Sequence, residues 1–124
     1  MFRFRTLFFI VGVATAHLFF SGMCLIAGEL KGHTGYVYTA EWSPDGSKVL
    51  TSSTDETAII WSAWTAEKLF TLSGHIQIVY SAQWSADGSK IATASGDNTV
   101  RLWLASTGVK LHTLAGHIDI VTDV

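Results

Sequence analysis

Residues 32–61 read GHTGYVYTAEWSPDGSKVLTSSTDETAIIW, and residues 74–103 read GHIQIVYSAQWSADGSKIATASGDNTVRLW. The second stretch repeats the pattern of the first at a spacing of 42 residues. Residues 32–73 and 74–115 align without a gap, 22 of the 42 positions are identical, and residues 116–124 begin a third repeat. A fixed period of this length indicates one supersecondary unit whose copies bury each other's apolar faces.

Each repeat is predicted to hold four short strands. In the second repeat, residues 76–84 mix β-branched and aromatic side chains, and the next strands are predicted at 90–95, 99–103 and 109–114. The connections are rich in Asp, Gly, Asn and Ser, as in Ala86-Asp87-Gly88-Ser89, and these residues favour tight turns. Strands of about five residues joined by connections of about two to five form an antiparallel meander. The sequence therefore predicts an all-β fold.

The motifs within each repeat carry a family resemblance. After Gly-His comes Trp-Ser-Pro-Asp-Gly at 42–46 or Trp-Ser-Ala-Asp-Gly at 84–88, and then Ser-Gly-Asp-Asn-Thr-Val-Arg-Leu-Trp at 95–103. In this order and spacing the motifs resemble the WD-repeat β-propeller family, and the resemblance covers residues 30–124. It implies that each repeat forms a four-stranded antiparallel blade of a β-propeller.

The number of repeats raises the question of how the ring closes. The WD-repeat region, residues 28–124, holds about two blades, whereas a propeller closes with roughly four to eight. One interpretation is a fragment of a larger propeller, with the missing blades supplied by a longer chain. Another is a homo-oligomer in which three or four copies close one propeller, and a third is a remnant that does not fold.

The first 27 residues differ in composition from the rest of the chain. Arg3 and Arg5 precede an apolar run, and residues 7–27 hold no acidic side chain, no lysine and no arginine. A positive start followed by an apolar run is typical of a signal peptide or a signal anchor. We therefore predict a hydrophobic helix in residues 1–27 and a membrane-anchored or secretory location. If a mispredicted start codon produced this segment, the protein would be cytoplasmic.

Composition limits the ligands of the repeat region. Apart from Arg3 and Arg5, six of the eight lysines and arginines remain against ten acidic residues, so no nucleic-acid partner is expected. Cys24 is the only cysteine, which excludes an intrachain disulfide. His112 and His117 have no further ligands at a spacing that suits a metal. No cofactor and no metal are predicted.

A set of polar residues recurs in both repeats and could be mistaken for a Ser/His/Asp catalytic group. Because an active site depends on one geometry, its repetition favours a structural role, and no enzyme activity is predicted. We expect the His to bond the Asp, the Asp to engage a strand-two hydroxyl, and that hydroxyl to accept from the indole. Thr and Ser point to one face, so the choice between these two hydroxyls stays open. The set comprises His33, Thr51, Ser53, Asp55 and Trp61 in one repeat and His75, Thr93, Ser95, Asp97 and Trp103 in the next.

The resemblance also implies a surface for partners. WD-repeat propellers bind proteins and peptides across one narrow face, through residues that flank the Val of the first strand and the residue before the turn Asp. In this sequence those positions are Tyr36, Tyr38, Thr54, Ile78, Tyr80 and Gly96. The sequence thus predicts a non-catalytic scaffold for protein–protein interaction. The alternative is the regulatory portion of a larger enzyme, such as a kinase or a nucleotide-binding switch protein.

Overall fold

A computed structural model describes residues 15–17 and 29–124, and every regular element in these ranges is a β-strand. This confirms the all-β fold class. The strands are β1 (Thr15–His17), β2 (Glu29–Lys31), β3 (Val37–Trp42), β4 (Lys48–Ser53), β5 (Ala58–Ser62), β6 (Lys68–Leu72), β7 (Val79–Trp84), β8 (Lys90–Ser95), β9 (Thr99–Leu104) and β10 (Lys110–Ala115).

The strands form two four-stranded antiparallel sheets, the first blade (β3–β6) and the second blade (β7–β10). In both, strands that follow one another in sequence are neighbours in the sheet. The turn between β3 and β4 shows how the sequence directs this path. Asp45 accepts hydrogen bonds from the hydroxyls of Ser43 (2.6 Å) and Ser47 (2.8 Å), and Gly46 adopts a φ of 73°, which favours glycine.

Antiparallel pairing sorts the connections to two ends of the blades. The upper end holds the loops that precede the first strand of each repeat and the turns between its second and third strands, residues 32–36, 54–57, 74–78, 96–98 and 116–120. The lower end holds the other turns, residues 43–47, 63–67, 85–89 and 105–109.

The main apolar core lies between the two blades. Leu50 and Ile60 pair across β4 and β5 on one face of the first blade, and Ile91 and Trp103 pair across β8 and β9 on the facing side of the second. Alternate side chains of a strand point to opposite faces, so each blade presents one set of residues to this contact. The cluster consists of Leu50, Ala58, Ile60, Leu72, Ala82, Ile91, Trp103 and Ala105, with Phe70 and Trp84 packed against it.

The other face of the first blade packs against β2. A second cluster there joins Leu30 of β2 to Val49, Ile59 and Trp61. Leu30 precedes Leu72 by one repeat length of 42 residues. Strand β2 therefore packs against the first blade in the same way that β6 packs against the second blade.

The amino-terminal segment departs from the predicted helix where it is described. Residues 15–17 are extended as β1, because their backbone pairs antiparallel with β2, with Thr15 opposite Lys31 and His17 opposite Glu29. Residues 1–14 and 18–28 lie outside the described residues, so the signal or anchor in residues 1–27 stays a prediction. Of the residues that are described, none belongs to a helix of the length and apolarity that a bilayer crossing requires.

The partial third repeat lies against the inner strands of the second blade. Val121 is buried and its N–H donates to the Ser95 carbonyl (3.1 Å), while the Ser81 hydroxyl donates to Asp123 Oδ1 (3.0 Å). The outer part of this face is less covered, since Leu114 of β10 is 49% exposed. Leu72, one repeat earlier, has an exposure of 0%.

Leu72 and Leu114 allow a matched test of the contact between blades. We expect Leu72→Ala to lower the free energy of unfolding by about 2–4 kcal/mol, because it removes buried contacts and leaves a cavity. Leu114→Ala, at the same repeat position, should cost less than about 1 kcal/mol because the side chain is half exposed. Urea denaturation of the two variants checks this. Equal losses would contradict the packing of the blades described above.

Candidate functional site

A buried chain of polar side chains crosses the first blade. Trp61 Nε1 donates to Thr51 Oγ1 (2.8 Å), which also contacts His33 Nε2 (2.7 Å). His33 Nδ1 contacts Asp55 Oδ2 (2.8 Å), and Thr57 donates from its hydroxyl to Asp55 Oδ1 (2.6 Å). One chain of hydrogen bonds thus links β4, β5, the upper loop before β3 and the turn between β4 and β5.

The second blade repeats this arrangement with nearly the same distances. Trp103 Nε1 lies 2.9 Å from Thr93 Oγ1, and that oxygen lies 2.8 Å from His75 Nε2. His75 Nδ1 lies 2.8 Å from Asp97 Oδ2. The same residues at the same repeat positions therefore produce the same geometry twice.

Burial favours the neutral form of the histidine in both hydrogen-bonded chains. Burial lowers the pKa of His33 and of His75 below the ordinary value of 6.5, although the neighbouring carboxylates Asp55 and Asp97 oppose the shift. A neutral ring with its proton on Nδ1 donates to the carboxylate and accepts the threonine proton at Nε2. Every group then has one consistent direction, from indole to hydroxyl to imidazole to carboxylate.

The carboxylates are ionised throughout the neutral range. Burial alone would raise the pKa of Asp97, but hydrogen bonds from Thr99 and His75 outweigh burial and lower the pKa to about 2. The pKa of Asp55 is also lowered, since bonds from Thr57 and His33 outweigh its burial. A charge held by several donors at a turn stabilises the conformation that brings those donors together.

The order in which the side chains are hydrogen-bonded differs from the predicted order. We expected the aspartate to engage the strand-two hydroxyl, but the histidine lies between them. The hydroxyl in the first blade is that of Thr51, and Ser53 instead accepts a hydrogen bond from the Asp55 N–H (3.1 Å). The second blade makes the same choice, with Thr93 in the chain and Ser95 bonded to the Asp97 N–H (3.1 Å). The imidazole reaches the threonine because the loop carrying it folds over the end of the strand.

Sequence reasoning missed Thr57 and Thr99, which hold the outer oxygens of the aspartates. The Thr99 hydroxyl donates to Asp97 Oδ1 (2.6 Å), and its N–H donates to the same oxygen (3.1 Å). The signal was present, because a threonine stands two residues after the aspartate in both repeats. Asp bonding to the backbone two residues later is a recognised turn pattern.

This geometry gives the chain of polar groups a structural use. The hydroxyls of Thr51 and Thr93 are fully buried and committed to an indole donor and an imidazole acceptor, so neither can meet a substrate. In residues 15–17 and 29–124, no three His, Cys, Asp or Glu side chains are grouped so that they could hold a metal ion.

The six residues predicted for partner binding lie at or near the upper end in three contacting pairs. Tyr36 and Thr54 exchange hydrogen bonds, from Tyr36 N to Thr54 Oγ1 (2.8 Å) and from Thr54 N to the Tyr36 carbonyl (2.9 Å). Gly96 donates its N–H to the Ile78 carbonyl (3.0 Å). The rings of Tyr38 and Tyr80, from different blades, meet edge to face with centroids 5.2 Å apart.

These residues differ in how far they reach solvent. Tyr36 is 65% exposed and Tyr38 is 44% exposed, whereas Gly96 is buried beneath Gln77 and Tyr80. The prediction omitted Ile76, which is 74% exposed on the adjoining loop. Its signal was an apolar residue directly after the Gly-His pair, where the first repeat has a threonine.

Comparison with known proteins accords with this architecture. The sequence model of the family described as "WD domain, G-beta repeat" matches residues 24–62 and 66–103, more than half of the chain. This chain belongs to the WD-repeat family. Each matched segment of this WD-repeat protein ends at or just after the tryptophan of its buried polar chain, Trp61 or Trp103.

Two curated relatives align with part of this WD-repeat protein. A guanine nucleotide-binding protein subunit beta from Nicotiana tabacum is 41% identical over 39 residues, which are 32% of this chain and 10% of the relative. The small ribosomal subunit protein RACK1z from Arabidopsis thaliana is 39% identical over 49 residues, 40% of this chain and 15% of the relative. The alignments thus span about a tenth to a seventh of those relatives' lengths.

Two solved structures resemble the fold over most of the chain. The structure of U3-55K superposes with a TM-score of 0.71 and 27% identity, covering 73% of this chain and 30% of the other. The WD40 repeats of RRP9 superpose with a TM-score of 0.70 and 27% identity, covering 73% and 29%. The two blades therefore correspond to a minor part of each larger protein.

Thr93 is the residue through which the buried polar chain of the second blade is tested. Thr93→Val keeps the shape but removes the oxygen, leaving the indole of Trp103 and Nε2 of His75 without partners. We expect a loss of about 1–3 kcal/mol in the free energy of unfolding. Thr113→Val, on the exposed strand β10, is the matched control and should change stability by less than about 0.5 kcal/mol. Chemical denaturation measures the free energy of unfolding of both variants. Equal losses would show that the buried chain of hydrogen bonds adds no stability.

The neutral histidines predict that stability falls in mildly acidic solution. The folded-state pKa of His33 and of His75 is below 6.5, so the unfolded chain takes up protons first as the pH falls. Their contribution is complete above pH 6.5 and is lost as the pH falls from 6.5 toward the folded-state pKa. The slope cannot exceed about 1.4 kcal/mol per pH unit for each histidine. Urea midpoints between pH 8 and pH 5 check this, and a slope that His75→Gln leaves unchanged would contradict the assignment.

Proposed function

We propose that this protein is a non-catalytic scaffold that binds other proteins or peptides at the upper end of its blades. The observation that carries the proposal is the exposure of Tyr36 and Tyr38 at this end, 65% and 44%. Large aromatic side chains supply contact area with a polar tip, and they are enriched among the residues that dominate binding energy.

The contrast between polar residues bonded within the blade and neighbouring residues exposed to solvent supports a binding role. His33, Asp55 and Thr51 use their polar atoms within the blade, which leaves none of them for chemistry on a ligand. The neighbouring Tyr36 and Ile76 extend to solvent and do not belong to either apolar cluster. A blade that is held together by internal hydrogen bonds and has exposed side chains at one end is suited to recognition.

The similarity to a guanine nucleotide-binding protein subunit beta and to RACK1z is in line with a scaffold role, because the first is named as a subunit and the second as a protein of the small ribosomal subunit. The alignments cover small parts of both relatives, so this chain's own partner has to be identified directly.

The scaffold proposal is tested by capture with and without the aromatic face. The full chain and a Tyr36→Ala/Tyr38→Ala variant are expressed in cells as proximity-labelling fusions, and labelled proteins are quantified by mass spectrometry. We expect a defined set of proteins to be labelled about tenfold less by the variant, because truncation of central aromatic anchors costs at least about 1.4 kcal/mol.

The control is Trp64→Ala, which removes an equally exposed aromatic side chain from the lower end. It should leave the labelled set unchanged. If the Tyr36→Ala/Tyr38→Ala variant labels the same proteins as the full chain, the upper end is not the binding surface and the proposal fails.

A further inference from the structure

The inner strands of both blades carry a β-bulge at a tyrosine. In the first blade Val37 pairs with Ser53 and Thr39 pairs with Ser52, so Tyr38 is an extra residue without a partner in the ladder. Tyr80 is the extra residue at the equivalent bulge of the second blade. A bulge re-aims the side chain of its extra residue, and here it places two tyrosines from neighbouring blades side by side.

The contact between the two rings leaves aromatic surface available. Their planes meet at 73° with centroids 5.2 Å apart. In an edge-to-face pair, each ring keeps at least one face that the other does not cover. Tyr38 is 44% exposed, so part of this aromatic surface is open to solvent. The electron-rich face of a tyrosine ring attracts a cation.

The five upper loops hold acidic side chains. These loops contain neither lysine nor arginine. Asp55 and Asp97 are held by the buried histidines, while Glu56 and Asp119 are exposed. A cationic ligand would therefore be attracted to this end, and a phosphate-bearing ligand such as a nucleic acid would be repelled.

In residues 29–124 the lysines and Arg101 lie outside the five upper loops. Lysines begin strands at the lower end, at Lys48, Lys68, Lys90 and Lys110. Arg101 is largely buried, with its guanidinium 3.8 Å from Asp97. Lys31 lies beside the first upper loop, where it forms an ion pair with Glu29 (2.8 Å). Among the residues that the structure describes, the five upper loops that flank the tyrosine pair thus carry carboxylates, and Arg101 is paired with Asp97.

We propose that the Tyr38–Tyr80 pair binds an arginine side chain presented by an extended segment of a partner protein. This inference rests on the proposed scaffold function and names the chemistry of its partner. A planar guanidinium stacks on an aromatic face and sheds water more readily than an ammonium group, so arginine is preferred to lysine. Glu56 and Asp119 attract the positive charge, and Tyr36 and Ile76 offer apolar contact to the residues beside the arginine.

Designed peptides test the proposal without knowledge of the natural partner. The probes are fluorescein-labelled 12-residue peptides of glycine and serine that carry two arginines, two lysines or two citrullines. Citrulline keeps the shape of arginine and removes its charge. Fluorescence anisotropy against the full chain in 50 mM salt is expected to give at least fivefold tighter binding of the arginine peptide than of the citrulline peptide, with the lysine peptide between them. Binding of the arginine peptide should weaken as salt rises.

Variants locate the binding to the tyrosine pair. Tyr38→Leu should weaken binding of the arginine peptide about threefold, while Tyr38→Phe, which keeps the ring, should stay within twofold of the unmodified chain. Glu56→Gln, an exposed change that removes one charge, should weaken binding about twofold. Trp64→Leu at the lower end is the control and should have no effect.

Each outcome has a definite meaning. Equal binding of the arginine and citrulline peptides, or an effect of Tyr38→Leu no larger than that of Trp64→Leu, overturns the proposal. If proteins in the labelling experiment still depend on Tyr36 and Tyr38, the scaffold function stands while the arginine specificity fails. If both experiments are negative, the upper end is not a recognition surface.

Discussion

The hydrogen bond between the indole of a buried tryptophan and a strand-two threonine is the interaction on which the rest of the structure depends. Trp103 donates to Thr93 through Nε1, while its ring packs with Ile60 and Leu72 across the contact between the blades. One side chain therefore belongs to the polar chain that fixes the register within a blade and to the apolar core that joins two blades. A slip of one residue in register would move the ring to the opposite face and break both.

The same local sequence meets different surroundings along the chain. Leu30, Leu72 and Leu114 are spaced by one repeat length, yet their surroundings differ. Leu30 is buried against the first blade and Leu72 is fully buried between the two blades, whereas Leu114 is half exposed. Nothing in the residues themselves distinguishes these positions. Burial in a repeat fold depends on the neighbour that covers each unit, and the stability of a unit is shared with the interface to that neighbour.

Much of the fold can be predicted from the local sequence pattern. The rest depends on three-dimensional geometry that the local sequence does not show. The second strand of the second repeat is predicted at 90–95 and lies at Lys90–Ser95, because a turn that contains Gly and Asp bounds it on each side. The first was predicted to begin at 76 but begins at Val79, since the loop before it turns back to place His75 over the blade. Thr93 and Ser95 point to one face, so the sequence does not show which hydroxyl lies close enough to the His75 ring to bond it. In the structure that hydroxyl belongs to Thr93. The bulge at Tyr80 carries no local sign, because no glycine marks it.

Comparison of the two repeats separates positions that build the blade from positions at its rim. The polar chain uses the same residue types in both, because replacing one member would leave buried donors or acceptors unpaired. Directly beside it, Tyr36 is replaced by Ile78 and Thr54 by Gly96, although both pairs keep the same backbone hydrogen bond. In these two pairs the backbone keeps the same hydrogen bond while the side chains differ in size and polarity. Side chains at the rim can therefore differ between repeats without a change in how the blade folds.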